Sequence, residues 1–144
     1  MTRTRPHFTL GRPDGSIAPA TILLGDVLVL LAFVGTGLLS HSIEPWRFPS
    51  HTLTVVTPFL LAWLVVAPLL GLYRHETRFE YQRAALLTIN CWIVASLLGG
   101  AIRATSYFPG GAPIDFLLVN VVFGLAFFLP WRLAVVAVSR RWRP

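Results

Sequence analysis

An aspartate stands inside LLGDVLVLLAFVGTGLL, residues 23–39, where every other residue is apolar, glycine or threonine. A carboxylate at membrane depth costs about 2.5–3.5 kcal/mol on insertion scales, so Asp26 demands a partner. Two other polar side chains lie deep in apolar stretches, Asn90 and Arg132. An acid, a guanidinium and a carboxamide at one depth make a charge-assisted, hydrogen-bonded layer, either a ligand or ion site or an internal lock. Other reactive chemistry is sparse. His7, His41, His51 and His75 all fall outside the apolar runs, which argues against haem ligation within the membrane. His41, Glu44 and His51 share one connection but match no metal-ligand spacing. Cys91 is the single cysteine, so it forms neither an intrachain disulfide nor a cysteine metal cluster. An aspartyl enzyme in the membrane wants two facing carboxylates, and only Asp26 is deep. No phosphate loop, HExxH or nucleophile elbow occurs. The expectation is a chain without catalytic residues, metal or cofactor.

The elements that must hold this layer follow from composition. Of 144 residues, 55% are hydrophobic and 12% charged, and mean hydropathy is +0.67. A soluble chain of this length has too much surface to hide that apolar content, whereas lipid accepts it. Four apolar segments, residues 20–39, 53–72, 84–104 and 114–138, each reach about 20 residues, enough to cross a hydrocarbon core of about 30 Å. The period-2 alternation of barrel strands is missing. The predicted fold is all-α, an integral membrane four-helix bundle spanning residues 20–138. A polar, Arg- and Pro-rich tail precedes it at 1–19 and a basic tail follows at 139–144.

The net charge of +6 is carried by arginine alone, without lysine. Arg3, Arg5 and Arg12, then Arg74, Arg78 and Arg83, then Arg140, Arg141 and Arg143 fall on one side of such a bundle, against Arg47 and Arg103 on the other. The positive-inside rule puts both termini in the cytoplasm of a plasma-membrane protein. Arginines at segment ends explain the basic balance, and no nucleic-acid platform is visible. The partners expected are the bilayer and either further copies of the chain or a membrane subunit, because four helices enclose little space.

Depth brings the layer together. Asp26, Asn90 and Arg132 each lie six residues, or about 9 Å, from the inner end of their predicted helix. Arg132 is also long enough to snorkel to the headgroups, which Asp26 is not. Pro68 and Pro130 fall in the same half, and each tends to kink its helix and free a carbonyl. In the outer half, Ala32, Gly35, Thr36 and Gly37 on helix 1 match Ala95, Ser96, Gly99 and Gly100 on helix 3. Small residues let helices approach closely, so a tight outer half and a polar, bent inner half are expected. Arg103 and Asp115 flank the outer loop at pairing distance in sequence, and Asn120 suits an interhelical hydrogen bond.

Gly25-Asp26, Ser40-His41, Pro58-Phe59-Leu60-Leu61-Ala62-Trp63, Gly71-Leu72-Tyr73-Arg74, Leu98-Gly99 before Arg103, and Trp131-Arg132 form a pattern. It resembles the small prokaryotic membrane proteins of domain of unknown function 3054, over residues 20–137. The resemblance implies four membrane helices and no particular activity. Two roles stay open. One is a protein that binds or transports a small solute, ion or lipid through the Asp26, Asn90 and Arg132 layer. The other is an accessory or scaffold subunit in which that layer only locks the bundle.

Overall fold

The computed structural model describes residues 17–142, and these are helical with short connections. The helices are α1 (Pro19–Ser40), α2 (Pro49–Leu69), α3 (Tyr81–Arg103) and α4 (Ile114–Arg141), with a 3-10 turn at His75–Arg78. Each of the four is long and apolar enough to cross a membrane. Residues 1–16, with Arg3, Arg5 and Arg12, lie outside the described residues, as does Arg143.

Proline sets three of the starts. Pro19 and Pro49 occupy the first turns of α1 and α2, where a missing N–H costs nothing, and Pro113 precedes α4. Helix α2 starts before the expected residue 53 because its polar opening residues are compatible with helix: Thr52, Thr54 and Thr57 donate to carbonyls one turn back at 2.7–3.0 Å. It also stops earlier than expected. Gly71 takes φ +77°, its N–H bonds the Pro68 carbonyl, and the Leu72 N–H bonds the Ala67 carbonyl, both at 3.0 Å. This left-handed glycine stop ends the helix and turns Tyr73 back beneath the bundle. At the C-terminus, α4 continues through Arg141, so the first residues of the expected basic tail are helical.

Sequence neighbours pack side by side and α4 closes back on α1. The diagonal pairs, α1 with α3 and α2 with α4, have no Cα atoms within 8 Å of each other among the described residues. Aromatic rings fill the space between. Phe33 and Trp92 meet edge-on at 5.6 Å across one diagonal, and Trp63 and Phe128 lie 4.4 Å apart across the other. This centre is too wide for the expected small-residue contact between α1 and α3. Gly35 and Gly37 instead face open space, where an added Cβ would meet nothing within 4 Å. Gly99 and Gly100 do permit close approach, but to α2 and α4: a Cβ on Gly99 would lie 2.6 Å from Phe59, and one on Gly100 would lie 2.5 Å from Leu117.

The polar inner half is found, and α3 packs closely in the outer half, but the spacing of α1 and α4 is the reverse of the expected one. At the end carrying both termini, α1 and α4 press together, and a Cβ on Gly25 would run into the Trp131 indole. At the opposite end they stand apart around a cleft of about 450 Å³. The prolines do not join an internal layer either. Pro68 and Pro130 are exposed on the outside of the bundle, since a ring with no N–H has nothing to give a polar cluster. Large apolar side chains such as Leu24, Leu28, Val122 and Phe123 point outward, while Asp26, Thr88, Ser96, Asn120, Arg132 and Ser139 are buried. That distribution suits lipid as the surrounding solvent.

The two glycine environments give opposite expectations. Gly25→Ala should lower thermal stability in detergent by about 1–3 kcal/mol through overpacking against Trp131. Gly35→Ala should be neutral or stabilising by up to about 1 kcal/mol, because helix propensity improves and nothing is crowded. A Gly35 loss equal to that at Gly25 would contradict the asymmetry.

Candidate functional site

Asp26 is fully buried on the inner face of α1, and the chain brings four donors to it. Trp131 Nε1 donates to Oδ1 at 2.9 Å. Trp63 Nε1 donates to Oδ2 at 3.3 Å. The Tyr73 hydroxyl and the Arg132 guanidinium, through Nη2, also donate to Oδ2, the latter as an ion pair. An ionised carboxylate has about four acceptor positions; three of these donors converge on Oδ2 and one reaches Oδ1. Arg132 is 3% exposed, and its guanidinium carbon stands 5.1 Å from the Tyr73 ring centre, adding a cation–π contact. Its long stem therefore bends inward, not out to the headgroups.

Each donor has a local reason for its place. Trp63 lies in the middle of α2 with its ring against Trp92 and Phe128, so only its N–H is left to point towards α1. Tyr73 is delivered by the Gly71 stop. Trp131 and Arg132 are adjacent on α4 and reach the two carboxylate oxygens separately, and the Trp131 indole occupies the space left by the missing Gly25 side chain. Below the cluster, Arg78 is buried in the 3-10 turn. It donates to the Tyr73 carbonyl and to the Ile17 carbonyl ahead of α1, both at 2.9 Å. One arginine thus ties the approach to α1 to the segment that carries Tyr73.

Asn90 is not part of this cluster. It is exposed, and its Nδ2 donates to the Leu86 carbonyl on its own helix at 2.9 Å. Equal depth was the wrong criterion, because angle around the helix decides. The inward face of α3 carries Thr88, Cys91, Trp92 and Ala95, and Asn90 lies two residues, about 200°, from Thr88. The outer Arg103–Asp115 pair is also not formed. Arg103 Nε donates to the Gly111 carbonyl at 3.0 Å and the guanidinium stacks on Phe116 at 5.3 Å, while Asp115 stays exposed in the first turn of α4. There it complements the positive end of the helix dipole. Asn120 does bond across helices, its Nδ2 donating to Ser96 Oγ at 3.0 Å, and its backbone carbonyl accepts from Trp92 Nε1 at 3.2 Å.

The sequence reading missed Trp63, Tyr73 and Trp131 as partners of Asp26. The clue was available: Gly25-Asp26, Trp63, Gly71 to Arg74 and Trp131-Arg132 all sit in the short motifs quoted above, and all meet here.

The lock has a measurable strength. Asp26→Asn or Arg132→Gln alone should cost about 3–5 kcal/mol of stability, because each strands buried polar partners. The double replacement Asp26→Leu with Arg132→Met should recover most of that loss in a thermal melt, and additive losses would mean the two act separately. Burial, and then the Asp26 carboxylate, push the Tyr73 hydroxyl above the usual phenol range. Its contribution is therefore complete below the ordinary phenol pKa and is lost as pH rises through the raised one. In a phenolate absorbance titration, wild type and Tyr73→Phe should coincide until the fold opens.

A family model described as "Protein of unknown function (DUF3054)" matches residues 23–135. No curated protein and no solved structure matches the chain.

Proposed function

The chain belongs to the DUF3054 family, whose description names no activity, and from its own surfaces we propose that it is a non-enzymatic accessory subunit of the plasma membrane. In this reading the Asp26–Arg132 cluster locks the bundle, and α3 docks on another membrane helix. Both termini face the cytoplasm, consistent with the bias of arginine to that end.

The observation that carries the reading is the exposed side chain of Asn90. It lies within α3, flanked on the outward face by Leu86, Ile93, Val94 and Leu97, all exposed. Its amide nitrogen bonds Leu86 of the same helix. A carboxamide oxygen facing hydrocarbon lacks the partner that water would supply, and a neighbouring helix can supply one. Leu86, Asn90, Ile93 and Leu97 fall at spacings of four, three and four, the seam of a packed helix pair. A single polar residue in such a seam fixes register and partner number at some cost in affinity.

A solute path through Asp26 finds less support. The acid and Arg132 are 0% and 3% exposed, Asp26 has four donors, and the Trp63, Trp92 and Phe128 rings separate them from the cleft at the other end.

Asn90→Leu is the direct test. It should leave the thermal melt within about 0.5 kcal/mol of wild type, as for a substitution outside the core. It should weaken association by about threefold or more, corresponding to the mean of about 0.6 kcal/mol per interhelical hydrogen bond. Energy transfer between labelled copies in liposomes reads self-association, and crosslinking in native membranes reads a partner subunit. Unchanged association in both assays would remove the basis for the accessory role.

A further inference from the structure

The cleft at the end opposite the termini lies between α1, the start of α2 and α4. Phe33, Val34, Phe123 and Phe127 are among its apolar walls, and Arg103, His41 and His51 stand among its polar lining. Its volume of about 450 Å³ lies within the usual range for small-molecule sites, which are mostly apolar with a few placed polar groups. We propose that it binds one chain of an anionic phospholipid, with the phosphate at Arg103 and the acyl chain lying between α1 and α4.

Three observations lead there. The first is charge. Among the described residues no carboxylate lines the cleft, and the nearby Glu44 is engaged with Arg47 at 3.5 Å and with the Trp46 indole N–H at 3.1 Å. Arg103 is held rigidly by the Gly111 carbonyl and the Phe116 ring, yet its Nη1 has no hydrogen-bond partner among the described residues. That Nη1 is itself buried, so the charge of the guanidinium at the cleft, met by no carboxylate of the lining, is what suits a phosphate. The second is length. From Phe116 to Phe127 the α4 wall runs eleven residues, about 16 Å, close to half of a hydrocarbon core of about 30 Å. An acyl chain anchored at one interface covers that distance. The third is access. Thr36, Val119 and Phe123 line the cleft and are exposed on the outside of the bundle, so a lipid tail enters sideways from the bilayer. A partner helix fits less well. One turn, 5.4 Å long and 10–12 Å across, already displaces roughly 420–610 Å³.

The glycines supply matched variants. Gly35 and Gly37 both face open space, but only Gly37 lines the cleft. The protein is reconstituted in phosphatidylcholine nanodiscs with acyl-spin-labelled phosphatidylglycerol, and the immobilised lipid fraction is read by electron paramagnetic resonance. Wild type should hold an immobilised phosphatidylglycerol population with about fivefold preference over labelled phosphatidylcholine, the effect of one cation at a membrane surface. Gly37→Leu should abolish that population and Gly35→Leu should keep it. Arg103→Gln should keep the immobilised chain and lose the headgroup preference. A photoreactive acyl chain on wild-type protein should crosslink to α1 and α4 at the cleft, a readout that needs no variant. Crosslinks confined to other faces, an undiminished signal in Gly37→Leu, or a preference that survives Arg103→Gln would each overturn the proposal.

Discussion

A carboxylate buried among four helices in lipid cannot stay unpaired, and much of the bundle's geometry follows from satisfying Asp26. Its four donors come from the middle of α2, from the segment beyond the Gly71 turn, and from two adjacent positions on α4. Trp131 and Arg132 cannot reach unless α1 and α4 are in contact at that end. Gly25 makes the contact possible by leaving room for the Trp131 indole. The cost of burying the ion pair is offset by the further donors on Asp26 and by the Tyr73 ring against Arg132, while Arg132 Nε stays without a partner among the described residues. The burial of the cluster is also what makes it a poor route for a solute.

Pinning the helices at one end has consequences at the other. The aromatic centre formed by Phe33, Trp63, Trp92 and Phe128 sets the width of the diagonals. Beyond it, glycines on α1 face no neighbour, and α1 and α4 part around the cleft. Small residues do not draw helices together by themselves. They permit approach where some other contact brings the helices together, as Trp131 does at Gly25 and Phe59 at Gly99. With no such contact, Gly35 and Gly37 leave space.

The four spans were legible because hydropathy and length report solvent directly, and the structure moves their ends by only a few residues. The Asp26–Arg132 contact was legible as depth, since rise per residue is nearly constant and the two helices run in opposite directions. Angle was much less legible. Asn90 matched the depth of the pair and sits on the wrong side of α3, whereas Tyr73 seemed to lie outside the bundle and enters the cluster through a left-handed glycine. Hydropathy patterning gives angle poorly here, because lipid-facing and core-facing positions are both apolar. Trp63, Tyr73 and Trp131 carry the N–H and O–H groups a buried acid needs, but a ring counts as apolar in hydropathy and its polar edge is not signalled.

That ambiguity bears on how polar residues in membrane helices are to be weighed. Asp26, Arg132, Asn120 and Ser96 face inward and are bonded to one another or to aromatic N–H groups. The chain itself supplies these partners, although Arg132 keeps a buried Nε without one among the described residues. Asn90 and Arg103 differ in lying on an outward helix face and at a helix end, each holding one intrachain carbonyl with hydrogen-bonding capacity left over. In water such a remainder means little, since solvent completes it. In hydrocarbon, as at Asn90, it is a demand on something outside the fold, and at the helix end, as at Arg103, it is open to a headgroup. The two remainders differ in kind, a neutral carboxamide on an outward helix face and a fixed cation beside an apolar cleft. They therefore call for different things, another helix in the first case and an anionic amphiphile in the second.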